Sequence, residues 1–189
     1  MRTVFAAALA AVMAISVPAA QSNMAAPERY TAFAVDISNL TTRARTSPVD
    51  IVINRWSTDE ERDRLLSVFR NKGQDALLSE LQKLPKVGYI NTPGSLAYDL
   101  HFARQRPEPE GGRMIFLMTD RYVPMWEAVN RPRTIDYPFT LIQLHVDKDG
   151  RGEGKASVYT KITEAKDGTI ELENFANQPV MLNQLKKVK

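Results

Sequence analysis

Residues 139–174 read FTLIQLHVDKDGRGEGKASVYTKITEAKDGTIELEN, and this stretch decides the fold class. Its segments 139–146, 155–162 and 170–175 are rich in β-branched and aromatic residues, the composition of strands. Between them stand Asp149-Gly150 and Asp167-Gly168, dipeptides suited to the left-handed backbone of tight hairpin turns. Strands joined by such short connections must run antiparallel. Asp147 to Gly154 also partly matches a calcium-binding loop, but Arg151 stands at its fifth position and Val158 at its twelfth, where oxygen ligands are required. A glycine-rich turn is the expected reading.

Toward the N-terminus the same strand signature recurs over 30–37, where Tyr30, Ala32, Ala34 and Asp36 alternate with Thr31, Phe33, Val35 and Ile37, and over 49–56. The period then changes. Ser57-Thr58-Asp59-Glu60 has the spacing of a capping box, and Leu65, Leu66, Val68 and Phe69 follow at helical intervals. Gly73 suits a reversal. Asp75 is placed to cap a second helix carrying Leu77, Leu78, Leu81 and Leu84, closed by Pro85. A helical hairpin over about residues 58–84 is predicted.

Strands resume over 86–91, over 96–103 with Leu96, Tyr98, Leu100 and Phe102 on one face, and over 114–118, with turns at Thr92-Pro93-Gly94 and across 107–112. One helical turn is expected over 124–130, and a last edge strand over 180–188. The resulting class is α+β and β-rich: a mainly antiparallel barrel or sandwich of about eight or nine strands with an inserted helical hairpin.

Composition bounds the chemistry. The 189 residues contain no cysteine, so disulfides, thiolate metal sites and a cysteine nucleophile are all excluded. The net charge is only +3, and the sole dense basic cluster, Lys186-Lys187-Val188-Lys189, is too short for a nucleic-acid footprint. No phosphate-binding glycine loop, Gly-x-Ser-x-Gly elbow or His-Glu-x-x-His pair occurs.

Residues 1–20 have the three parts of a secretory signal peptide: Arg2, an apolar run from Val4 to Val17, and small residues at Ala19 and Ala20. The run is short of the ~20 residues needed to span a bilayer. Residues 21–28 are expected to form a flexible leader, and 29–189 a single β-rich domain. A soluble periplasmic or secreted protein is predicted, with no stable membrane insertion after cleavage.

The densest recognition chemistry lies between Trp126 and Phe139. Arg131 and Arg133 offer bidentate hydrogen bonds, and Trp126 and Tyr137 offer flat apolar area near Asp136, so these five residues are the candidate ligand- or partner-binding set. A different constellation is Asp99, His101 and His145. Residues two apart share a strand face, so Asp99 and His101 would converge with His145 if their strands pair. That trio is the alternative metal or acid–base site.

Several stretches carry a resemblance: Arg55 to Arg62, Thr92 to Leu96, Ile135 to Phe139, Gly152 to Lys155 and Ile170 to Asn174. Together they resemble a group of predicted exported bacterial proteins with no established activity. The resemblance implies a bacterial, single-domain protein and no particular mechanism.

The expectation is therefore an exported, non-enzymatic domain binding a small ligand or an envelope protein, with no cofactor. Two alternatives stand beside it: a hydrolase using Asp99, His101 and His145, and a structural accessory protein acting through the helical hairpin.

Overall fold

The computed structural model describes residues 27–36, 45–94, 96–109, 111–121, 123, 136–166, 168–174 and 179–188. The chain forms β1 (Glu28–Asp36), β2 (Arg45–Ile53), α1 (Asp59–Leu81), β3 (Gly88–Asn91), β4 (Tyr98–Leu100) and β5 (Phe102–Pro107). There follow β6 (Arg113–Thr119), β7 (Phe139–Val146), β8 (Arg151–Glu164), β9 (Ile170–Asn174) and β10 (Val180–Val188). The segment expected to be a signal peptide, the helical turn expected over 124–130 and all of the expected leader but its last two residues lie outside the described residues. Glu28, assigned to that leader, instead opens β1 and is buried.

All pairings are antiparallel, in the order β4-β3-β2-β1-β10-β8-β7-β6-β5, with β9 beside β8. The two ends of this order, β4 and β5, are separated only by His101, whose N–H donates to the Met118 carbonyl at 3.0 Å. One bent strand thus brings the sheet's edges together, and the sheet is a nearly closed barrel rather than a sandwich.

That bend also explains the extra strand. Strict alternation puts Phe102 on the face of Leu100. In the structure Leu100 and Ala103 both belong to the barrel core, while Phe102 packs with the outer cluster around α1. The phase slips at His101.

The barrel is filled from every side. Tyr30, Ile51, Ile53, Ile115, Leu144 and Leu182 are fully buried, and Trp56 enters from the segment after β2. Small residues at Ala32, Ala34, Ala103 and Ala156 offset these large ones, as a narrow barrel requires.

One end of the barrel is held by charge. Glu28, 5% exposed, accepts from Arg113 Nη2 at 2.7 Å, Tyr30 Oη at 2.7 Å and Lys187 Nζ at 2.9 Å. Arg113 also donates to Gln105 at 2.6 Å and lies over the Trp56 ring. Burial alone would raise the Glu28 carboxyl, but the hydrogen bonds from Lys187, Tyr30 and Arg113 outweigh it and hold the group below its ordinary value. The Tyr30 hydroxyl is pushed well up, by its burial and then by its bond to Glu28. The network ties β1, β5, β6 and β10 together.

α1 covers the outside of the barrel. Its capping box uses Thr58 and Glu61, one residue later than the sequence suggests. The reason is local: Ser57 is diverted to β5, its N–H donating to the Ala103 carbonyl at 2.8 Å and its Oγ accepting from the Ala103 N–H at 3.1 Å. Gly73, at φ 77° and ψ −169°, breaks the helix. Arg64 and Glu80 form an ion pair across that break. In an unbroken helix their Cα atoms would lie about 24 Å apart. The two arms therefore fold toward each other, and the hairpin predicted over 58–84 is present with Gly73 at its bend.

Candidate binding site

Between the arms of α1 and the β8–β9 hairpin lies an open apolar cavity of about 160 Å³. Five elements build it. From α1 come Leu65, Leu66, Phe69 and Leu77, spaced to share one side of the folded helix. Phe102 and Met118 are cross-strand partners on β5 and β6. Ile162 sits opposite Leu172 in the β8–β9 ladder, with Ile170 two residues before Leu172 and so on the same face.

β8 reaches this position because it is longer than its neighbours. Its register with β7 shifts between Phe139 and Leu141. Beyond that point its last residues, Thr160 to Glu164, pair with β9. Ile170 and Leu172 remain 38% and 54% exposed, and Leu66 is half-buried. Arg62 is the one polar residue on the lining, and it is engaged with Asp59 and Asp63.

Gln74, immediately after the Gly73 break, fixes the hairpin to the sheet. Its Oε1 accepts from the Ile162 N–H at 2.8 Å and its Nε2 donates to the Asp136 carbonyl at 3.3 Å. Tyr137 donates from its hydroxyl to Glu173 on β9 at 2.7 Å, a bond that raises the phenol above its ordinary value. Thus the two described members of the predicted binding set, Asp136 and Tyr137, border the α1–β9 region. Trp126, Arg131 and Arg133 lie outside the described residues.

The alternative trio is not brought together. Asp99 pairs with Lys86 at 2.6 Å. His101 is buried at the barrel's bend, with Nδ1 3.1 Å from the Leu84 carbonyl and Nε2 3.8 Å from Asp120. A carbonyl only accepts, so Nδ1 carries the proton. His145 faces Glu108 at 3.1 Å and Gln143 at 2.9 Å. It lies opposite Met114, whereas His101 bonds Met118, about 13 Å further along the same strand. The ring nitrogens of the two histidines thus serve separate neighbourhoods. Among the described residues no group of three or more metal-ligating side chains converges.

Asp120 is itself tied down. Burial would raise its carboxyl, but the Arg121 guanidinium, His101 and Gln82 hold it low. These contacts lock the turn after α1 to the bend between β4 and β5.

A wider cleft of about 530 Å³ opens at the charged end, among the 111–113 and 146–150 turns and Lys187. Of its three cations, Arg113 and Lys187 are held by Glu28, while Lys148 makes no ion pair among the described residues. The Asp147 carboxylate is occupied by the N–H groups of Asp149 and Arg151, both at 2.8 Å, so this segment is a hairpin turn as expected. The cleft is a gap between turns, lined mainly by glycines and charged residues rather than by apolar side chains. The α1–β9 groove is apolar, open and lined from five elements, which is the character of a recognition site.

None of these lining residues stands out in the sequence, where apolar spacing marks them only as core. What exposes Ile170 and Leu172 is the extension of β8 beyond the barrel, and no local signal encodes it. Among the described residues no helix is long and apolar enough to cross a membrane. Comparison with protein-family models, curated proteins and solved structures finds no match.

Proposed function

We propose that this chain is an exported bacterial binding domain, without catalysis of its own, that recognises another protein by seating one large apolar side chain in the α1–β9 groove. The groove carries the proposal: apolar throughout its depth, open to solvent, and flanked by exposed Ile170 and Leu172. Its size decides between a small ligand and a protein partner. At about 160 Å³ it falls short of the ~300–1,000 Å³ of pockets that enclose a whole ligand. It is close to the ~150 Å³ apolar cavity that takes a single benzene ring. One phenylalanine, leucine or isoleucine side chain fits that description.

Export is supported by the charged, apolar and small-residue order of residues 1–20, and places the domain in the periplasm or outside the cell. The predicted recognition residues Asp136 and Tyr137 border the same region, which favours one contact surface over two.

Methyl chemical-shift mapping with benzyl alcohol, a stand-in for one aromatic side chain, tests the groove. Shifts confined to the lining methyls of Leu65, Leu66, Leu77, Met118, Ile162, Ile170 and Leu172 are expected. Shifts centred on the barrel interior, or none at saturating probe, would overturn the reading.

A further inference from the structure

β9 lies off the barrel's strand order. Within that order only β4 and β5 have a single ladder partner, and these two meet at His101, which leaves β9 as the edge outside the seam. Among the described residues β9 pairs with β8 alone. Free edges are normally blunted with lysine, proline or a bulge, because unpaired N–H and C=O groups template another strand. β9, Ile170-Glu171-Leu172-Glu173-Asn174, has no lysine, proline or bulge; its five-residue length and two glutamates are its only protection, and it presents two exposed apolar side chains beside an open groove.

We infer that the partner binds as an extended strand added to the free edge of β9, alternating basic with apolar residues. This rests on the groove being the contact surface, and it adds the conformation and charge of the occupant. The alternation of side chains decides the pattern. Ile170 and Leu172 share the groove face, so every second residue of an added strand is aimed at the apolar cavity. Glu171 and Glu173 share the opposite face, so the intervening residues of the partner meet carboxylates.

Charge also chooses between a foreign strand and a second copy of this chain. Antiparallel self-pairing of β9 about Leu172 would set Glu171 of one copy against Glu173 of the other. Like charges directly opposite destabilise a pair, whereas opposite charges support it. Glu171 has no ion pair among the described residues, and Glu173 has only the long 3.8 Å contact with Lys161 besides its bond from Tyr137. The edge therefore disfavours its own copy and accepts lysine or arginine. Recognition by main-chain bonds with alternate side-chain pockets is an established mode for exposed sheet edges.

The test uses the full chain and short synthetic peptides that alternate lysine with valine around a central phenylalanine. Three forms are compared by titration: this peptide, its glutamate counterpart, and the lysine peptide N-methylated on the edge that faces β9. The lysine peptide is expected to bind and to slow hydrogen exchange at alternate β9 amides. N-methylation should weaken binding about tenfold or more, since it removes the main-chain hydrogen bonds along the edge. The glutamate form should bind several-fold more weakly, and Glu171→Lys should reverse that preference.

Equal binding of the N-methylated peptide would overturn strand addition. Self-association of the protein that Leu172→Asp abolishes would overturn the choice of a foreign partner. Binding of benzyl alcohol in the groove with no response to any peptide would defeat the strand inference and leave the groove reading standing. Failure of both probes would defeat both.

Discussion

Glu28 shows how one residue can be placed differently by its neighbours in sequence and in space. Small and polar residues precede it, and sequence reasoning assigns it to a leader. Its partners Arg113 and Lys187 are remote in the chain, so only the barrel reveals that it is a buried counterion. Glu28→Gln leaves two cations without their carboxylate. A destabilisation of about 2–4 kcal/mol is expected, below the full cost of an entirely buried pair because Lys187 is partly exposed. Urea denaturation of both proteins measures it. The pH dependence has a definite sign. Glu28 is held below its ordinary value when folded, so its contribution is present above the unfolded-state value and is lost as pH falls through the folded one. The gap between wild type and Glu28→Gln should accordingly close in acid. A gap that widens in acid would contradict the network.

Glycine marks a second kind of residue, one legible in sequence. Gly73 was expected at a reversal, and its φ of 77° with ψ of −169° lies in a region essentially closed to other residues. Gly73→Ala should cost about 1–3 kcal/mol by thermal or chemical unfolding, although its Cβ would meet nothing within 4 Å. A neutral substitution would show that the arms are not bent as described.

Among the elements, strands with strong alternation were easiest to read. Segments 139–146 and 180–188 have the bounds of β7 and β10. Elements altered by a long-range contact were not. The helix starts at Thr58 because β5 claims Ser57, a contact with no trace in local spacing. Thr58→Ala removes the side-chain acceptor for the Glu61 N–H and should cost about 1 kcal/mol, whereas Ser57→Ala should act through the β5 attachment instead. Hydrogen exchange separates the two effects: the first loosens the amides at the start of α1, and the second those near Ala103. The split of 96–103 has the same origin. His101 is pinned by Leu84 and Met118, and the pinning shifts the phase of every residue after it.

β9 is the element on which the proposed recognition turns. It was readable as a strand, but its solitary pairing was not, since that depends on where along β8 the β10 ladder begins, at Val180 opposite Ala156. With one neighbour and exposed apolar residues, its amides should exchange about tenfold or more faster than those of β1 and β7, each paired on both sides. Peptide-resolved deuterium uptake checks this. Protection of β9 equal to that of β7 in the isolated protein would show the edge to be covered.

At the scale of the whole molecule, the antiparallel β-rich class and the helical insertion follow from residues 139–174 and 57–85. The choice of barrel over sandwich does not, because it depends on β4 and β5 being one strand bent between two edges. Closure has a functional consequence. With its interior packed by Trp56, Tyr30 and aliphatic side chains, the barrel is a scaffold rather than a container. The proposed recognition is displaced outward, to where β8 outruns the barrel and α1 leaves a gap.

That displacement is the central claim, and one comparison tests it most directly: the affinity of the lysine-rich peptide for wild type, Leu172→Asp and Phe33→Asp. Phe33 is a control, 44% exposed on β1 and not part of the groove. The account predicts that Leu172→Asp weakens binding about tenfold or more while Phe33→Asp leaves it unchanged, since a carboxylate replaces about 1.5–3 kcal/mol of apolar contact only at the first site. Unchanged binding by Leu172→Asp, or equal loss in both variants, would contradict it.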